Sequence, residues 1–315
     1  GGGGAGEAAA GRRSTYPAPK ATATGHNGVS WPTLTYHGSG EMHIFAIGDW
    51  GGLDGTVYPQ QGRQRMIQYY GGHWPGPHTF AHRPHHCGLV DLAYCFGLHG
   101  QPPCNADCGY VDGVDDHAQL LVAAQIKARA AQSDPKFVLN VGDNFYWGGI
   151  PENCGGSMNK MSGLAKTMFD DVFESIYSGP GLDGKPWLSV LGNHDYGGFQ
   201  FNNAWDQQIA YTWHSDRWVL PAPYWLQRVE FPAQGFSADF FMLDSNAMDA
   251  MDPAQDPGHN ICGMQNPPWA SCAPTGGPNS TKACVEWFWS LWREQASWME
   301  RKLQESTADW QIAVT

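Results

Sequence analysis

Three short turns hold the residue types that could do chemistry in this chain. Each follows an apolar run and opens with glycine: Gly48-Asp49-Trp50-Gly51, Gly142-Asp143-Asn144-Phe145-Tyr146 and Gly192-Asn193-His194-Asp195. They offer carboxylates, a phenol, a carboxamide and an imidazole. An oxygen-dominated set of this kind suits hard or borderline cations far better than thiolate metals. One carboxylate placed centrally can bridge two ions roughly 3.5–4 Å apart, the usual spacing of two-metal hydrolytic sites. Glycine before each ligand lets the backbone turn sharply and approach closely.

The runs before the turns read as buried strands: Met42 to Ile47, Phe137 to Val141 and Trp187 to Leu191. In open α/β sheets ligands bind beyond the carboxyl ends of strands, so the three turns are expected to share one crevice. Helices are expected over Val114 to Ala131, over Leu164 to Ile176 and over the Trp-rich Val285 to Leu303, with further strands at Ser237 to Leu243 and Gln311 to Val314. Alternation of strands and helices points to an α/β sheet fold. Asp244 also follows a strand and reads as a structural cap.

Residues 1–40 are rich in Gly, Ala, Pro and Thr and read as a flexible tail or linker, leaving 41–315 as the folded domain. Within it, about 53–111 lacks periodicity and reads as a Cys/His-rich insertion. It holds His73, His78, His82, His85 and His86, which read as a surface loop. The net charge of −12 argues against nucleic acid and leaves any anionic substrate in need of local positive charge, which metal cations would supply. No apolar run is long enough to span a membrane.

The sequence starts at Gly rather than Met and carries no charged-then-apolar leader, as a trimmed chain would. Its eight cysteines admit two readings. Cys87, Cys95, Cys104 and Cys108 could form a zinc knuckle. Alternatively the cysteines, most of them in loop-like sequence, form disulfides of an exported protein, and this reading is favoured. Asn279-Ser280-Thr281 is a glycosylation acceptor, consistent with export.

The three turns, in this order, resemble the first three of the five metal-ligand blocks of purple acid phosphatases, within the calcineurin-like metallophosphoesterase superfamily. Gln208-Ile209-Ala210-Tyr211, Arg217-Trp218, Pro221 to Trp225 and Phe241 to Asp244 resemble the small, animal-type, tartrate-resistant members. The resemblance runs from about 42 to 315, interrupted by the insertion.

It implies an α/β/β/α sandwich of two mixed sheets flanked by helices, and a dinuclear centre of Fe(III) with Fe, Zn or Mn as the divalent partner. Asp49 and Tyr146 would bind the ferric ion, Asp143 would bridge, and Asn193 would hold the second metal. His194 would contact the phosphate or assist the leaving group, and Asp195 would orient the site beside it. The implied activity is acid hydrolysis of phosphomonoesters, on small molecules or phosphoproteins, in a secreted, cell-surface or lysosome-like setting. A phosphodiesterase or nucleotidase of the same superfamily is the nearer alternative. A non-catalytic extracellular assembly module is the more distant one.

The chain departs from the pattern in one respect. The family's fourth and fifth blocks supply three further histidines, and neither occurs here. The final residues, Trp310 to Thr315, match the strand leading into the fourth block. The expectation is therefore a C-terminal continuation or a second, cleaved fragment, with histidine as the residue after Thr315.

Overall fold

The computed structural model describes residues 12–51, 118–146, 148–198, 200–255 and 260–315. Among them are two four-stranded sheets. The first in chain order of its turns consists of β2 (Phe45–Ile47), β3 (Val138–Asn140), β4 (Trp187–Ser189) and β5 (Trp218–Val219), in that spatial order and all parallel. Its register aligns Ile47 with Asn140 and Asn140 with Ser189. The three strands therefore end level, and the chemical turns leave the sheet side by side.

The second sheet runs β1 (Val29–Thr35), β6 (Trp225–Phe231), β7 (Phe236–Met242) and β8 (Trp310–Val314). β6 and β7 form an antiparallel hairpin, while β1 and β8 add to them in parallel. Inward-facing Trp31, Leu188, Val219, Trp225, Val229, Phe240, Met242 and Val314 pack into one core drawn from both sheets. Alternate residues of the hairpin, Leu226 and Phe241, face the other way, onto Leu291 and Trp298. Period-two alternation explains this split. Each such Leu or Phe contributes roughly 1.5–3 kcal/mol when fully buried.

Leu291 and Trp298 belong to α5 (Thr281–Glu305), whose N-cap Ser280 accepts from the Ala283 N–H at 3.3 Å. On the outer face of the parallel sheet lie α1 (Ala118–Ser133), α2 (Gly163–Phe169) and α4 (Trp205–Ala210). A single π turn, Asp170–Glu174, continues α2, which starts at Ser162 as N-cap. Between them runs α3 (Asn193–Tyr196), one turn long. The architecture is an α/β sandwich, helices outside and two sheets within.

The tail expected over residues 1–40 is corrected for 12–40. β1 pairs with β6, Trp31 and Ala23 are buried, and the Arg12 guanidinium donates to the Gly184 carbonyl at 2.6 Å. Pro32 interrupts the ladder, and the register shifts between Trp31 and Leu34. That is where an edge strand tolerates a residue without an N–H. The insertion, with its four cysteines and six histidines, lies wholly outside the described residues. Four other cysteines pair as Cys154–Cys272 and Cys262–Cys284. Among the described residues no helix is long and apolar enough to cross a membrane.

Candidate metal centre

The turns are built from backbone that only special residues accept. Asp49 and Asp143 both stand in the left-handed region, at φ 56° and 51°. Aspartate visits that region more readily than most residues, but at a cost on the order of 1 kcal/mol or more. Glycines let the turns touch. A Cβ on Gly51 would lie 1.6 Å from the Asn144 carbonyl oxygen, and one on Gly192 would lie 2.1 Å from Asp143 Oδ1. The Asp49 N–H donates to the Gly142 carbonyl at 3.1 Å, tying the first turn to the second.

Three of the four proposed ligands converge. The Tyr146 hydroxyl donates to Asp143 Oδ2 at 2.7 Å and lies closer still to Asp49 Oδ1. One phenolic proton is thus shared by two carboxylates. Burial, the bond to Asp49 and the charge of Asp143 together push the Tyr146 pKa far above its ordinary value. Asp49 is exposed and Asp143 half-buried, so the cluster opens to solvent on one side.

Asn193, half-buried, is the first residue of α3. The His194 N–H donates to Asp143 Oδ1 at 3.1 Å, and its buried ring stands 4.6 Å from the Tyr146 ring, centre to centre.

These residues fit a cation. Two carboxylates and a phenol face one another with fewer protons than lone pairs, and the donors are all hard oxygens. Asn193 adds a carboxamide on the adjoining turn. Among the described residues no group of three or more His, Cys, Asp or Glu is placed to hold a metal. The cluster relies on a phenol and a carboxamide beside its two carboxylates.

Asp195 plays a different part. It is fully buried, and its oxygens accept from the N–H groups of Gly192, Asn144 and Phe145 and from the side-chain amides of Asn144 and Gln208. Burial, followed by the nearby charge of Asp143, pushes its pKa up to about 7, and the donors oppose that rise. With five N–H groups aimed at it, the carboxylate fastens α3 to the second turn.

Behind it lies a buried polar chain. Asn140 and Ser189 are the polar residues of otherwise apolar strands, and that oddity was the available signal in the sequence. Gln208 reaches the same network from α4.

A second tyrosine–aspartate pair sits at the end of β7. Tyr196 donates to Asp244 Oδ2 at 2.7 Å, the Asn246 N–H donates to Asp244 Oδ1 at 3.0 Å, and Gln295 bonds both backbone groups of Asp244. Burial pushes the Asp244 carboxyl up to about 6. This is the structural cap expected from the sequence.

Comparison with known proteins gives a consistent picture. The chain is 34% identical over 124 residues to tartrate-resistant acid phosphatase type 5 of Sus scrofa, covering 39% of this chain and 31% of that protein. Against the same enzyme of Oryctolagus cuniculus it is 27% identical over 206 residues, covering 65% and 51%. Purple acid phosphatase 7 of Arabidopsis thaliana is 34% identical over 128 residues, covering 41% and 32%.

The chain spans about a third to a half of the length of these relatives. No family model matches it. One solved structure, titled as the anchor in the inner membrane complex of Plasmodium, has a TM-score of 0.38 at 13% identity, covering 87% of this chain and 54% of that one. A likeness at that level carries no argument.

Proposed function

From a chain that is purple acid phosphatase-like, we propose a metal-dependent phosphomonoesterase with a dinuclear Fe(III)–M(II) centre on a metallophosphoesterase-type sandwich. The observation that carries this reading is the convergence of two carboxylates on one phenol, with Asp49 and Asp143 both accepting from Tyr146 at the ends of adjacent parallel strands. When bound, the two ions neutralise the phosphate oxygens and lower the pKa of a water to generate the nucleophile.

Asp49 and Tyr146 would hold the ferric ion, Tyr146 as phenolate, and Asp143 would be shared with the second ion. Asn193 would hold that divalent ion, iron, zinc or manganese, through its side-chain oxygen. His194 stands where it can contact the phosphate or give a proton to the leaving group. Asp195 does not reach substrate; it positions Asn193 and His194 by fixing α3. The remaining ligands are the three histidines of the family's later blocks, and turnover belongs to a protein that contains them.

The substrates of this reading are phosphomonoesters, small or protein-borne, and the charge of the ions would offset the acidity of the chain toward such anions. Two disulfides and an exposed Asn279 within its sequon support passage through an oxidising, glycosylating compartment.

Loading a form of the protein that carries the later histidine blocks with Fe(III) and Zn(II), then recording its visible spectrum and p-nitrophenyl phosphate hydrolysis, tests the proposal. A tyrosinate-to-iron band with turnover at acidic pH is expected. A colourless, inert protein that retains no metal would overturn it in favour of a non-catalytic module. Preference for bis(p-nitrophenyl) phosphate would move the assignment to a diesterase.

A further inference from the structure

The three strand-end turns are joined by a one-way chain of amide donors, all of it buried. It starts at the Trp50 indole N–H, which donates to Asn140 Oδ1 at 2.7 Å. Asn140 Nδ2 donates onward to Asn144 Oδ1 at 2.5 Å, with a side branch to Ser189 Oγ at 3.0 Å. Asn144 Nδ2 donates to Asp195 Oδ2 and to Gln208 Oε1, each at 3.1 Å. Gln208 Nε2 closes the chain on Asp195 Oδ1 at 3.0 Å.

Every link points the same way, from an indole that can only donate to a carboxylate that, ionised, can only accept. No amide in the series can turn over without setting two acceptors or two donors face to face. Trp50 belongs to the turn of Asp49, Asn144 to the turn of Asp143 and Tyr146, and Asp195 to the turn of Asn193. Asn140 belongs to none of them, yet it engages the first turn and the second at once.

The geometry points to Asn140 as a positioning residue that sets the spacing of the three strand-end turns through this donor chain. Being the last residue of β3, it is anchored by the sheet ladder to β2 and β4. The sheet therefore dictates where its carboxamide stands, and the carboxamide dictates where Trp50 and Asn144 stand. The Ser189 branch leads away from the site, since the Ser189 hydroxyl donates back to the Trp187 carbonyl at 3.3 Å. Only the metal arm of the following test rests on the phosphatase reading.

Asn140→Asp keeps the acceptor for Trp50 and the shape of the side chain, but replaces the donor to Asn144 with an oxygen. Hydrogen exchange of the metal-free protein then reads the backbone amides of Asp49, Asn144 and Gly192, one in each turn. Exchange about tenfold faster or more at all three is expected, since a buried unsatisfied group opens local structure on that scale. Ser189→Ala, which cuts only the branch, should leave the Asp49 amide at the wild-type rate.

In the ferric-loaded protein Asn140→Asp should weaken metal binding about 10- to 100-fold and displace the tyrosinate band, as loss of an outer partner does. If Asn140→Asp does not fold, Trp50→Phe removes only the first donor and should speed exchange in the second turn as well as the first. Faster exchange confined to one turn, or equal effects of Asn140→Asp and Ser189→Ala, would overturn the inference. Should the wild-type protein take up no metal, the phosphatase reading falls while the exchange result still decides the role of Asn140.

Discussion

Two tyrosine–aspartate clusters stand at strand ends in this molecule, and they differ in how many carboxylates share the phenol. Around Asp244 a single carboxylate faces the Tyr196 phenol. The phenol and the Asn246 N–H serve its two oxygens, and Gln295 locks the main chain on both sides. Around Tyr146 one phenol faces two carboxylates, one of them exposed. The same residue types thus make a closed cap in one place and an acceptor-rich cluster in the other. Residue types alone do not separate the two clusters; the number of carboxylates per phenol does.

The strongest way to break this comparison is Asp143→Asn, which removes one of the two carboxylates that face Tyr146. Asparagine tolerates the left-handed backbone of this position, so the fold should survive. Metal uptake by the loaded protein should fall below detection in elemental analysis, with far-UV circular dichroism unchanged.

The Asp244 pair predicts a pH effect of known sign. The Asp244 carboxyl titrates at about 6 in the folded protein against an ordinary 3.8. A raised pKa means the ionised form is disfavoured on folding, so stability is lost as pH rises from about 3.8 through about 6. Asp244→Asn lacks that loss. Its stability relative to wild type, from urea unfolding, should improve by up to about 3 kcal/mol between pH 4 and pH 7.

Tyr196→Phe removes a donor that favours the Asp244 anion. It should cost about 1–2 kcal/mol at pH 7 and less at pH 4, where the carboxyl is protonated. Metal affinity should stay unchanged, and a change there would erase the distinction between the two pairs. Smallest of all, Asn279→Gln should leave stability within about 0.5 kcal/mol, as surface changes do, and should remove one N-linked glycan, read by mass, from protein expressed through a secretory pathway.

Much of the site was legible because glycine after an apolar run is a local signal. Gly48, Gly142 and Gly192 announce the turns, and their level placement follows from the ladder pairing Ile47, Asn140 and Ser189. The polar chain behind them was not legible. Asn140, Ser189 and Gln208 sit far apart in sequence, and nothing local says which amide points at which.

β1 was hidden for another reason. Pro32 in Val-Ser-Trp-Pro-Thr-Leu-Thr speaks against a strand, and only the tertiary pairing with β6 overrides it. β6 itself, Trp-Leu-Gln-Arg-Val-Glu-Phe, carries polar residues at alternate inward and outward places, which blurs a period-two reading.

The left-handed backbone at Asp49 and Asp143 has a consequence for how such a chain drifts. At both positions glycine would relieve conformational strain, and the hydrogen bonds each carboxylate accepts are what the folded state would lose in exchange. A lineage released from holding metal should lose these two aspartates early, to glycine or asparagine, while its sheets and caps persist. The pair acts as a fossil gauge, readable in any descendant sequence without an assay.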